Sequence, residues 1–218
     1  MTGGVVVRAV RPGEYEAVGD LTVAAYTTID GFTPGERYAA TLRDVAGRTE
    51  TAEVIVAADG EGRILGGVTF VPGLGPLAEF EGVDESGMRM LAVDPDVQGR
   101  GIGRLLAEAC IERARATGRS RLVLHTTGAM AAAHRLYRGL GFSRAPDRDL
   151  RTPGGLMLEA YVLELDGGPA VTLTSRTSAS GIAPINRSVS TSNTARGVPA
   201  AHQTVAKRRS DSSTTVRT

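Results

Sequence analysis

Along the first 166 residues, apolar positions fall alternately into short runs and helical stripes. Val5-Val6-Val7 with Ala9-Val10 predicts a first strand, turned by Arg11-Pro12-Gly13. Tyr15, Val18, Leu21-Thr22 and Ala25 share one helical face, so a helix is expected over residues 12–28. A second helix is expected over residues 34–47, because Pro34 suits a helix start and Gly47 a helix end. Residues 54–58 and 64–71 read as two strands around the hairpin turn Asp59-Gly-Glu-Gly62. Residues 72–84 form a loop that begins with Pro and Gly and carries Glu79 and Glu81, ending at Asp84-Glu85. A β-prone run follows from Met88 to Val93, and Asp94-Pro95 breaks it. Next come Gly99, Gly101 and Gly103, then Leu105, Leu106, Ala109 and Cys110 at helical spacing. Residues 121–126 predict another strand. Residues 130–140 predict a short helix with Met130, Ala133 and Tyr137 on one face, ended by Gly139 or Gly141. Residues 142–144 and 157–165 complete the strands. Strands alternating with helices imply an α/β fold around one sheet.

The strand, glycine turn and helix over residues 91–110 carry the chemistry. Glycines let a backbone approach a ligand closely and adopt positive φ. The free N–H groups and the dipole of a helix start favour a phosphate. The pattern is therefore an anion cradle for a phosphorylated cofactor. It is not the dinucleotide fingerprint G-x-G-x-x-G, and the Lys-Ser/Thr of a P-loop is missing.

Gln98-Gly99-Arg100-Gly101-Ile102-Gly103 resembles motif A of the GNAT N-acetyltransferases, Q/R-x-x-G-x-G/A. Leu91-Ala92-Val93 before it and Ala133, Leu136-Tyr137 and Gly141-Phe142 after it fit the same family. The resemblance covers roughly residues 5–165. It implies a mixed, mostly antiparallel twisted sheet flanked by helices, with two central strands splayed to admit a pantetheine arm. It also implies acetyl transfer from acetyl-CoA, without a metal, to a primary amine of a small molecule. Two other readings stay open: a protein Nα- or lysine acetyltransferase, and a non-catalytic module that binds acyl-CoA. Leu91, Ala92 and Val93 would hold the pantetheine, and Gln98, Gly99, Arg100, Gly101, Ile102, Gly103 and Arg104 the pyrophosphate. Tyr137 is the expected general acid on the departing sulfur. In the family the segment around the first two helices lines the acceptor pocket, which makes Asp30, Phe32 and Tyr38 candidates for acceptor contact. Asp30-Gly31 is also a good turn, and Tyr38 also a packing residue. An acidic loop over residues 72–85 would attract a cationic amine.

Two positions depart from the family pattern. Met130 stands where many members carry an Asn that contacts pantetheine, and a thioether cannot replace an amide's two-way hydrogen bonding. Gly87 stands where some members carry a catalytic Glu. Glu85 shares its strand parity and becomes the candidate base. His125, an imidazole, and bulk water are the alternatives.

Composition then divides the chain. Residues 1–166 hold 18 arginines against 23 acidic residues, a net −5. Residues 167–218 hold seven basic residues and one acidic, a net +6, in a Ser/Thr/Ala/Gly-rich stretch without aromatics. Such a stretch cannot bury enough apolar surface to offset its ordering entropy. The expected organisation is an acetyltransferase domain over residues 1–166 and a disordered basic tail over 167–218. Arg187, Arg196 and Lys207-Arg208-Arg209 offer a contact to nucleic acid or an acidic surface, but a solvated tail is the simpler reading and no nucleic-acid partner is expected. The single cysteine excludes an intrachain disulfide. No apolar run is long enough to cross a membrane and no signal peptide is evident, which points to the cytoplasm. Family members often dimerise, so a homodimer is the one protein partner the resemblance suggests.

Overall fold

The computed structural model describes residues 4–29, 32–152 and 154–165. Strands β1 (Val6–Ala9), β2 (Glu53–Ala58) and β3 (Ile64–Val71) form an antiparallel meander. The β2–β3 turn forms where expected. The Asp59 carboxylate accepts from the N–H groups of Glu61 and Arg63 at 3.0 and 2.9 Å, and Gly62 takes φ 88°. β4 (Glu85–Val93) lies antiparallel to β3, and β5 (Arg121–Thr126) runs parallel to β4. β6 (Ser143–Arg144) and β7 (Leu150–Arg151) are two-residue strands, and both pair antiparallel with β8 (Met157–Glu164). The sheet order is β1-β2-β3-β4-β5-β8-β6, with β7 on β8 alone. This is the expected mixed, mostly antiparallel sheet.

Among the described residues, five α-helices cover its two faces: α1 (Tyr15–Thr27), α2 (Glu36–Arg43), α3 (Val45–Thr49), α4 (Ile102–Ala116) and α5 (Ala131–Gly139). α4 buries Leu106, Cys110 and Ala114 against Ile55, Phe70 and Leu122 of the sheet. α5 adds Tyr137 to that core. On the opposite face, Val18 of α1 and Val45 of α3 pack on Val54, Val56 and Ile64. Beside them Phe80, from the loop between β3 and β4, packs on Val71 and Val123. Full burial of one such Leu or Phe contributes roughly 1.5–3 kcal/mol. Cys110 is a small core residue on α4, as its position on the apolar stripe implies.

Two expectations need correction. The helix expected over residues 34–47 is two helices. Asp44 leaves helical geometry (ψ 70°), and its side chain accepts from the Gly47 N–H at 2.9 Å. An Asp that caps a new start breaks the helix, and Gly47 therefore lies inside α3 rather than ending α2. β4 also begins at Glu85, three residues before the apolar run, because Glu85 and Ser86 are buried by polar partners. No helix among the described residues is long and apolar enough to cross a membrane.

Candidate active site

The site is built around a fork in the sheet. β4 and β5 pair from Glu85↔Arg121 to Met88↔Leu124 and then part. β4 continues to Val93 along β3, so beyond Met88 its β5-side backbone groups have no ladder partner. The cause of the parting lies in β4. Thr69 pairs with Arg89 and Gly67 with Ala92, so Met90 and Leu91 together oppose Val68. Met90 takes φ 52°, which no other non-glycine among the described residues adopts. This is a β-bulge, and a bulge bends the strand that carries it. Met90 lacks a glycine's freedom and must be held. Arg48 reaches it from α3: its Nη1 donates to the Met90 thioether at 2.8 Å and to the Thr69 hydroxyl at 3.2 Å, while Nη2 donates to the Leu42 carbonyl at 3.0 Å.

The glycine turn follows the fork. Asp94 caps a 3₁₀ turn at Pro95–Val97. Gly99 and Gly101 then take φ 77° and 84°, and Gly101 is the residue before the first turn of α4. The first α-helical hydrogen bond of α4 is donated by Leu105, so the N–H groups of Ile102, Gly103 and Arg104 face out of the helix start. No acidic side chain lies in that turn. Gln98 is tied to the Val93 carbonyl at 3.3 Å and Arg104 pairs with Glu108 at 2.8 Å. A Cβ on Gly103 would stand 3.5 Å from Val93 and 3.6 Å from Leu136. The end of β4, the start of α4 and the helix carrying Tyr137 therefore converge.

Tyr137 is buried between Phe142 and Tyr161, with ring centroids 5.8 and 6.2 Å away. Burial pushes its phenol well above the usual value, so it stays a proton donor at any physiological pH. Met130 precedes α5, and its thioether accepts from the Thr126 hydroxyl at 3.4 Å. It presents no amide.

The candidate base Glu85 lies elsewhere. It sits at the closed end of the β4–β5 pair, buried, where Arg148 grips both carboxylate oxygens at 2.8 and 2.7 Å. Arg121 and the Gly82 N–H add further contacts at 3.4 and 3.0 Å. The Arg148 hydrogen bonds hold its carboxyl below the ordinary range against the opposing effect of burial. A carboxylate so engaged is a poor proton acceptor, which corrects the expectation of a base there. Gly87 has its own reason. A Cβ at this position would stand 2.7 Å from the Phe80 ring, so no glutamate fits.

The α1–α3 side of the fork holds more than the sequence showed. Tyr26, Phe32 and Tyr38 form a triangle of rings with centroids 6.1 to 6.4 Å apart. Phe32 and Tyr38, both candidates for acceptor contact, come together there. Asp30 lies outside the described residues. Burial drives the Tyr26 phenol strongly up, and nearby Tyr38 and Tyr137 add to it. Glu79 of the acidic loop pairs with Arg89 of β4 at 2.5 Å and faces His125 Nδ1 at 3.5 Å. Burial works to raise the Glu79 carboxyl, but His125 and Arg89 outweigh it and hold it below its ordinary value. His125 is tied on its other side to the Arg148 carbonyl at 3.0 Å. Arg48, Arg89 and Tyr26 escaped the sequence reading. The one signal was Arg89 itself, a charge inside the apolar run Met88 to Val93.

Against known proteins, residues 16–142 match the family model for the acetyltransferase (GNAT) family. The chain belongs to the GNAT acetyltransferase family. It is 42% identical over 66 residues to a [ribosomal protein bS18]-alanine N-acetyltransferase of Salmonella typhimurium, covering 30% of this chain and 45% of that one. It is 47% identical over 55 residues to a mycothiol acetyltransferase of Gordonia bronchialis, covering 25% of this chain and 18% of that one. The match thus spans less than half the length of these relatives. In fold it is similar to a Salmonella typhimurium protein of acetyltransferase type solved with its cofactor acetyl-CoA, at TM-score 0.58 and 23% identity over 76% of this chain and 96% of that one. Family members use acetyl-CoA and an amine acceptor, and relatives of this chain acetylate both proteins and small molecules.

Proposed function

We propose that this GNAT enzyme moves an acetyl group from acetyl-CoA directly to a primary amine of a small molecule. The observation that carries the reading is the fork: an unpaired stretch of β4 backbone between a glycine-lined helix start and the Tyr137 helix. These groups fit a long polar arm ending in a pyrophosphate. Leu91, Ala92 and Val93 offer backbone donors and acceptors to the arm. Gly99 to Arg104 offer N–H groups to the pyrophosphate, and the dipole of a 15-residue helix adds to their attraction.

Acetyl-CoA supplies the acetyl group as a thioester, whose C–S bond breaks as the amine nitrogen forms the amide bond. Backbone N–H groups of β4 left unpaired beyond Met88 serve the carbonyl oxygen as it gains charge. Tyr137 gives its proton to the departing sulfur and recovers one from solvent. Glu79 attracts the incoming ammonium on the acceptor side. The amine's proton passes to bulk water, since Glu79 is ion-paired as Glu85 is. The small-molecule reading rests on the aromatic triangle, which offers ring surface to the side chain of a small amine beside Glu79 and Arg89.

Thiol release from acetyl-CoA, followed across amino acids, polyamines, aminoglycosides and short peptides, tests this reading. One thiol per N-acetylated small amine is expected. Acetyl-CoA binding with turnover of peptides alone would move the assignment to protein acetylation. Binding without turnover of any amine would favour the non-catalytic module.

A further inference from the structure

On the α1–α3 side of the fork, one buried charge among the described residues has no ion pair. Arg48 is 5% exposed, and no carboxylate among the described residues forms an ion pair with it. Its hydrogen bonds go to a hydroxyl, a thioether and a carbonyl, all neutral. A guanidinium has five N–H donors, and these contacts use three. Its Nε is buried with no acceptor. A buried guanidinium without an anion is costly, and the ordinary remedy is a carboxylate or phosphate that fits its planar fork.

The neighbours sharpen the requirement. Burial disfavours the protonated Arg48 most, and the like charge of Arg89, on the same side of the sheet, adds to it, while Tyr26 and Asp44 act in the opposite sense. The Asp44 side chain caps α3 rather than pairing with Arg48, and Glu79 is paired with Arg89. Arg89 and Glu79 are both about a quarter exposed and open to an incoming molecule.

We propose that the acceptor carries a carboxylate as well as its amine, as a free amino acid does, with the carboxylate on Arg89 and Arg48 and the ammonium toward Glu79 and the fork. Such a zwitterion gives the guanidiniums a carboxylate while its ammonium takes over Glu79, and it leaves the net charge of the site unchanged. An amine without the carboxylate leaves Arg48 with no ion pair, and a polycation adds positive charge. This inference rests on the acetyl-transfer reading above and narrows its acceptor class.

The test compares matched amines with the full chain and acetyl-CoA: amino acids, their carboxamides, and the amines that lack the carboxyl altogether. Methionine, methioninamide and 3-methylthiopropylamine make one such set, and phenylalanine, phenylalaninamide and phenethylamine another. At least one acid should exceed its amide roughly 10²-fold in kcat/KM, with the difference mainly in KM. Arg89→Gln should shrink that ratio by raising KM for the acid. Arg48→Met should do the same where it folds, and Arg89→Gln decides the matter where it does not. Equal or better turnover of the amides overturns the carboxylate while leaving acetyl transfer intact. Turnover of no member of any set, with acetyl-CoA bound, also overturns it. Failure to bind acetyl-CoA removes the underlying reading instead.

Discussion

At the scale of single residues, the roles of two side chains separate cleanly. Tyr137→Phe removes only a hydroxyl that donates to the sulfur, so kcat should fall by roughly 10²–10⁴ while acetyl-CoA affinity stays unchanged. Unaltered turnover would end the general-acid assignment. Glu85 has a structural task and a pH signature. Its carboxyl is held below the ordinary 4.5 by Arg148, so its stabilisation is complete above that value and is lost as pH falls through its lowered native value. Urea unfolding should show Glu85→Gln about 3–5 kcal/mol less stable than wild type at neutral pH, with the gap narrowing below pH 4.5. A gap that persists in acid would contradict the ion-pair account. Tyr137 was legible because it sits in a spaced block with Leu136, Gly141 and Phe142. The Glu85–Arg148 pair was not, since its partners lie 63 positions apart and no periodicity links them. Arg48 was hidden for the same reason: nothing local marks a buried arginine on a short helix.

At the scale of elements, hydrophobic period and turn chemistry carried most of the fold. The β2–β3 hairpin and α4 follow directly from them, because Asp-Gly-Glu-Gly and a four-residue apolar stripe have few alternative conformations. The bulge in β4 was invisible. Its positive-φ residue is Met90, and tertiary contacts from Arg48 hold it there in place of a glycine. The break between α2 and α3 was missed because a capping Asp and a terminal Gly send competing signals. The loop over β4 offers a direct test. Gly87→Ala should destabilise the protein by about 1–3 kcal/mol, because its methyl meets the Phe80 ring. Adding Phe80→Leu should recover part of that loss, so the two changes will not be additive in thermal or urea unfolding. Strict additivity would show that the ring does not fill this space.

At the scale of the whole molecule, the two sides of the fork divide the labour. In the proposed reading, the α4–α5 side presents glycines and a phenol to acetyl-CoA, and the α1–α3 side presents aromatic and charged groups to the acceptor. The basic stretch from residue 167 onward lies outside the described residues, and its separation from the enzyme domain is a proposal. A chain ending at Asp166 should melt at the same temperature and turn over at the same rate as the full chain. The central claim is that Gly99 to Arg104 hold acetyl-CoA at the fork, and calorimetric titration tests it most directly. Wild type should bind one acetyl-CoA per chain. Gly101→Val forces a β-branched residue into φ 84°, at a cost of about 1–3 kcal/mol, and should weaken binding roughly 10- to 100-fold if the turn relaxes. No binding by wild type, or equal binding by a folded Gly101→Val, would contradict the account.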